Sequence, residues 1–241
     1  MKFDQADFDI RCEWGQQGIS QLAPISDVVI IVDALSFSTS VDIATSRGAI
    51  AFPYQWRDGS TQAFADSMDA ELAQKRGEGK YSLSPASLLE IPRGTRLVLP
   101  SPNGSSLSLA TGETPTIAGC LRNAKAVASA AMRYGQKIAV IPAGERWSDC
   151  SLRPALEDWI GAGAVLSYLE GRFSPEAKLA VATYQNMRLD LEHLIKQCGS
   201  GQELINQGFE QDVHLALQLN TSDCVPTLVN GSYINRAGKE E

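Results

Sequence analysis

Short apolar, β-branched runs alternate along most of the chain with longer segments whose apolar residues recur at helical spacing. The runs lie at 27–33, 49–53, 95–100, 114–119 and 137–144. The helical segments lie at about 38–47, 60–75, 104–110, 122–134 and 154–170. This alternation is typical of βα units with a mostly parallel sheet that is covered on both faces. We therefore predict an α/β fold with three layers, α/β/α.

The pattern changes after Arg172, where helical periodicity replaces the short apolar runs and Gly199 and Gly208 act as helix stops. Near the end, Asn230 and Gly231 separate two apolar runs, which predicts a hairpin. No repeat or linker interrupts the chain. We therefore predict one compact unit, 1–241, with a βα core at 1–172 and a mainly helical C-terminal subdomain at 173–241.

Composition and charge narrow the class of protein. Hydrophobic residues make up 44% of the chain and charged residues 20%, which is typical of a globular protein. The net charge of -7 argues against nucleic acid or an anionic membrane surface as the main partner. No stretch resembles a signal peptide or a membrane span, and the five scattered cysteines fit reduced thiols. We expect a cytoplasmic protein.

Asp33 is the first candidate for chemistry, because ligands of open parallel sheets bind beyond the carboxyl ends of the strands. A carboxylate there can bind a hard cation or act as a nucleophile, and its burial is costly unless it is paired. A helix N-cap is the alternative. Ser38 and Thr39, which follow, are candidates for binding phosphate.

The segment LPSPNGSSLS begins at the end of the third run and opens a helix, so its hydroxyl and N–H groups can converge on an anion. A plain turn with a helix cap is the alternative. The phosphate-binding candidates in this segment are Ser101, Asn103, Gly104 and Ser105.

Glu145 and Arg146 follow the fifth run, where they are candidates for catalysis and for substrate binding. In the next helix, Glu157 and Asp158 are candidate metal ligands, with a solvated first-turn pair as the alternative. Successive helical residues point about 100° apart, so we expect at most one of the two to face the site fully.

Arg122 and Asn123 follow the fourth run as a cation and an amide for substrate binding, with helix capping as the alternative. Familiar nucleotide and phosphatase signatures are missing from the sequence. Neither GxxxxGK[ST] nor a GxGxxG after a strand occurs. Leu35 stands where haloacid-dehalogenase-type phosphatases carry a second Asp.

Six segments in this order and spacing resemble the 2-phosphosulfolactate phosphatases, Mg²⁺-dependent enzymes of coenzyme M and sulfolactate biosynthesis. They are VVIIVDALSFSTSVDIATSRGA, RLVLPSPNGSSLS, AGCLRNAKAVA, IAVIPAGE, LEDWIGAGAVL and SGQELINQGFEQDVHLALQLNTSDCVPTL. The resemblance implies hydrolysis of (R)-2-phospho-3-sulfolactate to sulfolactate and phosphate with Mg²⁺. It places Asp33, Asn103, Gly104 and Glu145 at motif positions. We therefore expect Asp33 and Glu145 to hold Mg²⁺, with Asp33 as metal ligand or nucleophile.

One departure from that family affects the choice of substrate. The resembled enzymes usually have an Arg after the Leu of the first segment, and this chain has Ser36. Arg76, Lys80, Arg122 or Arg146 could supply the missing charge. A phosphatase for another small phosphorylated acid and a non-catalytic anion-binding domain are the alternatives. In each case the expected partner is a small anion, and a homo-oligomer is compatible with a chain of this size.

Overall fold

The computed structural model describes residues 3–55 and 58–238. Eleven strands lie within these residues, and nine of them form one sheet while β8 and β9 form a separate hairpin. The strands are β1 Ile10–Cys12, β2 Val28–Val32, β3 Ile50–Tyr54, β4 Glu71–Leu72, β5 Arg96–Pro100, β6 Thr116–Gly119, β7 Ile138–Pro142, β8 Glu145–Arg146, β9 Leu152–Arg153, β10 Pro226–Val229 and β11 Ser232–Asn235.

Ten α-helices lie in the described part of the chain, where they cover the sheet or form its C-terminal helical part. They are α1 Gly15–Leu22, α2 Phe37–Ser46, α3 Gly59–Ser67, α4 Gly104–Leu109, α5 Ala124–Tyr134, α6 Leu156–Leu166, α7 Pro175–Met187, α8 Leu191–Gln197, α9 Gly199–Asn206 and α10 Glu210–Ala216. Short 3₁₀ turns lie at Ala23–Ile25 and Pro85–Leu88. None of the helices in the described ranges is long and apolar enough to cross a membrane.

The sheet has the strand order β1-β7-β2-β6-β10-β11-β3-β5-β4. The first four strands pair in parallel, and so do the last three. The β10–β11 hairpin lies between these two blocks and makes three successive antiparallel pairings. The blocks therefore run in opposite directions. The predicted α/β class with a mostly parallel sheet is confirmed, and so is the hairpin turn at Asn230 and Gly231.

The side chains of β2 show how the layers form. Val28, Ile30 and Val32 contribute to the core under α5, α6 and α7, whereas Val29 and Ile31 face the core under α1 and α4. This strand is apolar on both faces because helices cover both of its sides. Each such side chain contributes about 1.5–3 kcal/mol when it is fully buried.

The C-terminal helices pack directly on this core. Gly163 of α6 lies so close to α7 that an added Cβ would meet the Ala180 carbonyl oxygen at 2.2 Å. Residues of α8, α9 and α10, such as Ile195, Leu204 and Val213, belong to the same buried cluster as β2. The helical part therefore shares one hydrophobic core with the sheet.

Element boundaries differ from the predictions at several places. The helix predicted at 60–75 ends at Ser67, because the chain turns through Asp69 with φ +47° and enters β4. The helix predicted at 154–170 spans Leu156–Leu166. Gly199 begins α9 rather than only ending α8. The elements β1 and α1 were not predicted, because three residues with an arginine in the middle and eight mixed ones are too short for a clear period.

Candidate active site

A cleft of about 650 Å³ lies beyond the carboxyl ends of β2 and β5, between the β8–β9 hairpin and helix α9. The strands β2 and β5 belong to oppositely directed blocks. Helix α4 follows β5 and starts against the end of β2, so the carboxyl ends of the two strands meet at the cleft. The polar residues that line the cleft are Asp33, Ser36, Arg76, Ser101, Asn103, Glu145, Arg146, Ser148, Arg153, Ser200, Glu203 and Gln207.

Asp33 follows β2 directly and is only 7% exposed. Its Oδ1 accepts a hydrogen bond from the Phe37 backbone N–H at 3.1 Å, and its Oδ2 accepts one from the Gly104 N–H at 2.9 Å. Burial, and after it the charge of Glu145, raises the pKa of Asp33 to about 7, although the two N–H groups act in the opposite direction. Asp33 thus contacts the start of α2 and lines the cleft as well.

Gly104 is required by this contact. A Cβ at position 104 would lie 2.2 Å from Cδ1 of Phe37 and 2.8 Å from Oδ2 of Asp33. The Gly104 amide is therefore engaged within the protein, and the Asn103 amide donates to Ser101 Oγ at 3.3 Å. Two amides of the predicted phosphate cradle already have protein acceptors, so the cradle is not formed by these groups.

Glu145 faces Asp33 across the cleft from β8. Its Oε2 accepts a hydrogen bond from Asn103 Nδ2 at 2.8 Å, which fixes the carboxylate. Its pKa is raised, first by burial, and Glu157 adds to the shift. Arg146 also lines the cleft, and its Nη2 donates to the Pro102 carbonyl oxygen at 3.4 Å. Both side chains line the cleft, and their roles in catalysis and substrate binding stay predictions.

Glu157 and Asp158 are both buried, which contradicts the alternative of a solvated pair. Asp158 accepts hydrogen bonds from the Ala34 N–H at 2.7 Å and the Gly144 N–H at 2.8 Å. Burial, and after it the charges of Asp33 and Glu157, raise the pKa of Asp158. Neither side chain lines the cleft. Asp158 ties the loops after β2 and β7 together behind it.

Three hydroxyls predicted to bind phosphate point elsewhere. Ser38 donates to the Ile31 carbonyl and accepts from the Asp33 N–H, Thr39 donates to the Ala34 carbonyl, and Ser105 donates to the Leu99 carbonyl. All three side chains are completely buried. They satisfy backbone groups around the ends of β2 and β5, because buried carbonyls need a donor. Ser101, in contrast, does line the cleft.

The structure does not bring Arg122 or Asn123 to the cleft. Arg122 Nε lies 2.9 Å from Oδ2 of the fully buried Asp42, and Asn123 bonds to the backbone of Cys120 and Ala118. The Arg122–Asp42 ion pair joins α2 to the chain after β6. Both residues therefore have structural partners that account for them.

Two further arginines line the cleft: Arg153 was not predicted, and Arg76 was named only as a possible source of the charge missing at position 36. Arg76 Nη2 donates to Ser36 Oγ at 2.6 Å, so its guanidinium reaches the position where an arginine was expected and a serine stands. Arg153 Nη2 donates to Ser200 Oγ at 3.0 Å. Neither follows an apolar strand of the main sheet, and only the tertiary structure brings them to the cleft.

The oxygen donors at the cleft decide whether the expected Mg²⁺ fits there. Within residues 3–55 and 58–238, no group of three or more His, Cys, Asp or Glu side chains is placed to hold a metal ion. Mg²⁺ commonly binds one or two protein carboxylates and completes its shell with water and substrate phosphate. Asp33 and Glu145 are such a pair, and a cation would offset the cost of burying both charges. The donor set therefore fits Mg²⁺.

The fold and the cleft define an α/β protein with a carboxylate and arginine site at the ends of its strands. A family model described as 2-phosphosulpholactate phosphatase matches residues 17–231. The chain belongs to this family, which consists of phosphoric monoester hydrolases.

Curated relatives agree with the family match. A 2-phosphosulfolactate phosphatase of Methanothermobacter thermautotrophicus is 28% identical, and the match covers 86% of this chain and 88% of the relative. A probable 2-phosphosulfolactate phosphatase of Carboxydothermus hydrogenoformans is 31% identical over 82% and 84% of the two chains. For the 2-phosphosulfolactate phosphatase of Methanocaldococcus jannaschii the identity is 27%, over 83% and 88%.

Proposed function

We propose that this protein hydrolyses 2-phospho-3-sulfolactate to 3-sulfolactate and phosphate with Mg²⁺. The observation that carries the proposal is the cleft that joins the buried carboxylate of Asp33 and the half-buried one of Glu145 to three arginines in a chain of this family. The relatives named for this reaction cover most of the chain and support the same substrate.

The charge of the cleft suits such a substrate. A phosphorylated sulfolactate carries phosphate, carboxylate and sulfonate groups, whereas the chain has a net charge of -7. Local positive charge is therefore needed for binding. Arg76, Arg146 and Arg153 bring it to the cleft, and guanidinium N–H groups form strong, charge-assisted hydrogen bonds with such acid groups.

Asp33 and Glu145 would hold the Mg²⁺, which supplies charge neutralisation at the phosphoryl oxygens when it is bound. The chain's own contribution is positioning. The N–H groups of Phe37 and Gly104 fix both oxygens of Asp33, and Asn103 fixes Glu145. Groups fixed in advance cost no reorganisation during the reaction. Phosphoryl transfer depends mainly on such positioning and charge neutralisation.

Phosphate release from 2-phospho-3-sulfolactate, measured with and without Mg²⁺, tests the proposal. We expect D33N and E145Q to lower kcat by about 100-fold or more, since each removes a charge at the reacting group. E113Q, at an exposed carboxylate outside the cleft, serves as the control with wild-type activity. Full activity of D33N would contradict the role of Asp33, whereas no release by the wild-type protein from any phosphorylated acid would favour a non-catalytic anion-binding domain.

A second candidate substrate is another small phosphorylated acid, and the contact between Ser36 and Arg76 favours it, because the cation reaches the cleft from a different direction than expected. A panel of phosphorylated acids compared by kcat/KM separates the two candidates. We also propose a cytoplasmic location. All five cysteines are free thiols, which supports a reducing compartment.

A further inference from the structure

Arg76 is anchored by contacts from three separate parts of the chain. Its Nη2 donates to Ser36 Oγ at 2.6 Å and to the Leu83 carbonyl at 3.2 Å. Its Nε lies 3.2 Å from Oδ2 of Asp212 in α10, and its guanidinium lies 5.7 Å from the centre of the Phe209 ring. A flexible side chain is thereby held in one position.

Asp212 is itself fixed from the other side. It is 1% exposed, and its Oδ1 accepts hydrogen bonds from Ser84 Oγ at 2.6 Å and from the Ala86 N–H at 3.1 Å. Both partners belong to the segment that carries the Leu83 carbonyl. The ion pair is therefore part of a small rigid network that determines where the guanidinium lies.

One nitrogen of Arg76 remains available. No described residue accepts a hydrogen bond from Nη1, the side chain is 18% exposed, and Arg76 lines the cleft. A fixed cation whose Nη1 hydrogens are free suits the recognition of an acid group.

Arg153 differs from Arg76 in its electrostatic surroundings. Within the described residues Arg153 has no carboxylate within ion-pair distance, although the charges of both arginines act on Glu145. Arg76 already has a buried counter-charge in Asp212, so less of its field is available for charge that develops during the reaction. This contrast favours Arg153 as the residue that binds the reacting phosphoryl group. It favours Arg76 as the residue that binds a part of the substrate whose charge does not change.

We infer that Arg76 determines substrate specificity by binding an acid group other than the transferred phosphoryl group, either sulfonate or carboxylate. Asp212 is the positioning residue for this contact. The inference rests on the proposed function, because it concerns the same cleft and a substrate with several acid groups. It adds a role for α10, an element that lies outside the cleft lining.

Binding and turnover of the variant R76Q test the inference. We expect R76Q to weaken the binding of 3-sulfolactate, measured by calorimetry with Mg²⁺ present, by about 10-fold or more, the usual loss for a charged hydrogen bond. Inorganic phosphate should bind within about 2-fold of the wild-type value. In turnover of 2-phospho-3-sulfolactate the loss should fall on KM rather than kcat, because the contact is the same in the ground and transition states.

Two further variants keep the experiment interpretable. R76Q leaves Asp212 buried without its cationic partner, so the double variant R76Q/D212N removes both charges and should show the same selective loss. The matched control is R96Q, since Arg96 also donates to a backbone carbonyl and also lies over an aromatic ring, but outside the cleft. It should bind both anions like the wild-type protein.

A positioning role for Asp212 has its own readout. D212N should loosen Arg76 and raise KM for 2-phospho-3-sulfolactate at unchanged kcat, and D212E should recover part of the loss. A purely structural role would lower the amount of folded enzyme and leave the KM of the folded part unchanged.

The anions separate the possible outcomes. If R76Q binds 2-hydroxyethanesulfonate more weakly but phosphate normally, Arg76 binds the sulfonate. If R76Q binds lactate more weakly but phosphate normally, Arg76 binds the carboxylate. Equal weakening of phosphate and sulfolactate overturns the inference, because Arg76 would then serve the phosphoryl group. If the wild-type protein does not hydrolyse 2-phospho-3-sulfolactate, the proposed function fails, yet selective loss of sulfolactate binding in R76Q would still support the role of Arg76.

Discussion

The backbone N–H of Gly104 donates to the carboxylate of Asp33 over 2.9 Å and joins two residues that lie 71 positions apart. This single contact connects the end of β2 to the start of α4, and so connects the two parallel blocks of the sheet at the cleft. The position of the central carboxylate therefore depends on a residue that has no side chain.

Gly104→Ala should lower both stability and activity. The new Cβ would lie within 2.2 Å of Phe37 and 2.8 Å of Asp33, so α4 or Asp33 must shift. We expect a loss of about 1–3 kcal/mol in unfolding free energy, as for other overpacked sites, together with a lower kcat. Urea unfolding and phosphate release measure the two effects.

Gly59→Ala is the matched control for this change. Gly59 is also the first residue of a helix, but an added Cβ would meet nothing within 4 Å. Its unfolding free energy should stay equal or rise slightly, because alanine favours the helix more than glycine does. An equal loss in both variants would show that the Asp33 contact is not the cause.

The raised pKa of Asp33 predicts a pH dependence of stability. The carboxyl group titrates near pH 7 in the folded protein and near its ordinary value of 3.8 in the unfolded chain. Between about pH 4 and 7 the folded state binds more protons, so the contribution of Asp33 to the unfolding free energy falls as the pH rises. It is present in full below about pH 4 and is lost above about pH 7.

The comparison of wild type with D33N isolates this contribution, because other carboxylates titrate in both proteins. Without Mg²⁺, the difference in unfolding free energy, wild type minus D33N, should decrease from pH 5 to pH 8. Mg²⁺ should then stabilise the wild-type protein at pH 8 more than D33N. A difference that is constant with pH would contradict the raised pKa.

Arg122→Met should reduce stability without affecting substrate binding. The change leaves Asp42 buried and without its cationic partner, which typically costs about 3–5 kcal/mol. The double variant R122M/D42N should lose less than R122M alone. KM for 2-phospho-3-sulfolactate should stay within about 2-fold of the wild-type value. A clear rise in KM would instead support the sequence-based hypothesis that Arg122 binds substrate.

Asp158→Asn should reduce stability and leave Mg²⁺ affinity nearly unchanged. An amide can accept from only one of the Ala34 and Gly144 N–H groups, so the other loses its acceptor at a cost of about 1–3 kcal/mol. Calorimetric titration with Mg²⁺ tests the hypothesis that Asp158 is a metal ligand. Loss of Mg²⁺ binding in a folded variant would support that hypothesis.

The sequence was sufficient to predict the main strands, because each is a short apolar run between polar turns. For the same reason it located Asp33, Ser101 and Glu145, which follow such runs and line the cleft. The polar residue after a buried strand is therefore a useful signal. It does not separate residues that face a ligand from those that satisfy the backbone, as Ser38 shows.

The positions of the arginines depend on long-range contacts, which a local sequence pattern does not contain. Arg76 lies in a polar segment and reaches the cleft through contacts with Leu83 and Asp212, far apart in sequence. Arg122 follows a strand as expected, yet a buried carboxylate of α2 holds it elsewhere. Which of two arginines meets a ligand depends on such long-range partners, and these exist only after the chain has folded.

The placement of the β10–β11 hairpin has a consequence for how the protein is made. Its strands pair with β6 on one side and β3 on the other, so the two parallel blocks have no direct strand pairing along this part of the sheet. During synthesis the ribosome must release residues 226–235 before the blocks can be joined. Because contacts between distant parts of a chain form slowly, we expect closure of the sheet to be a late step that follows translation of nearly all of the described chain.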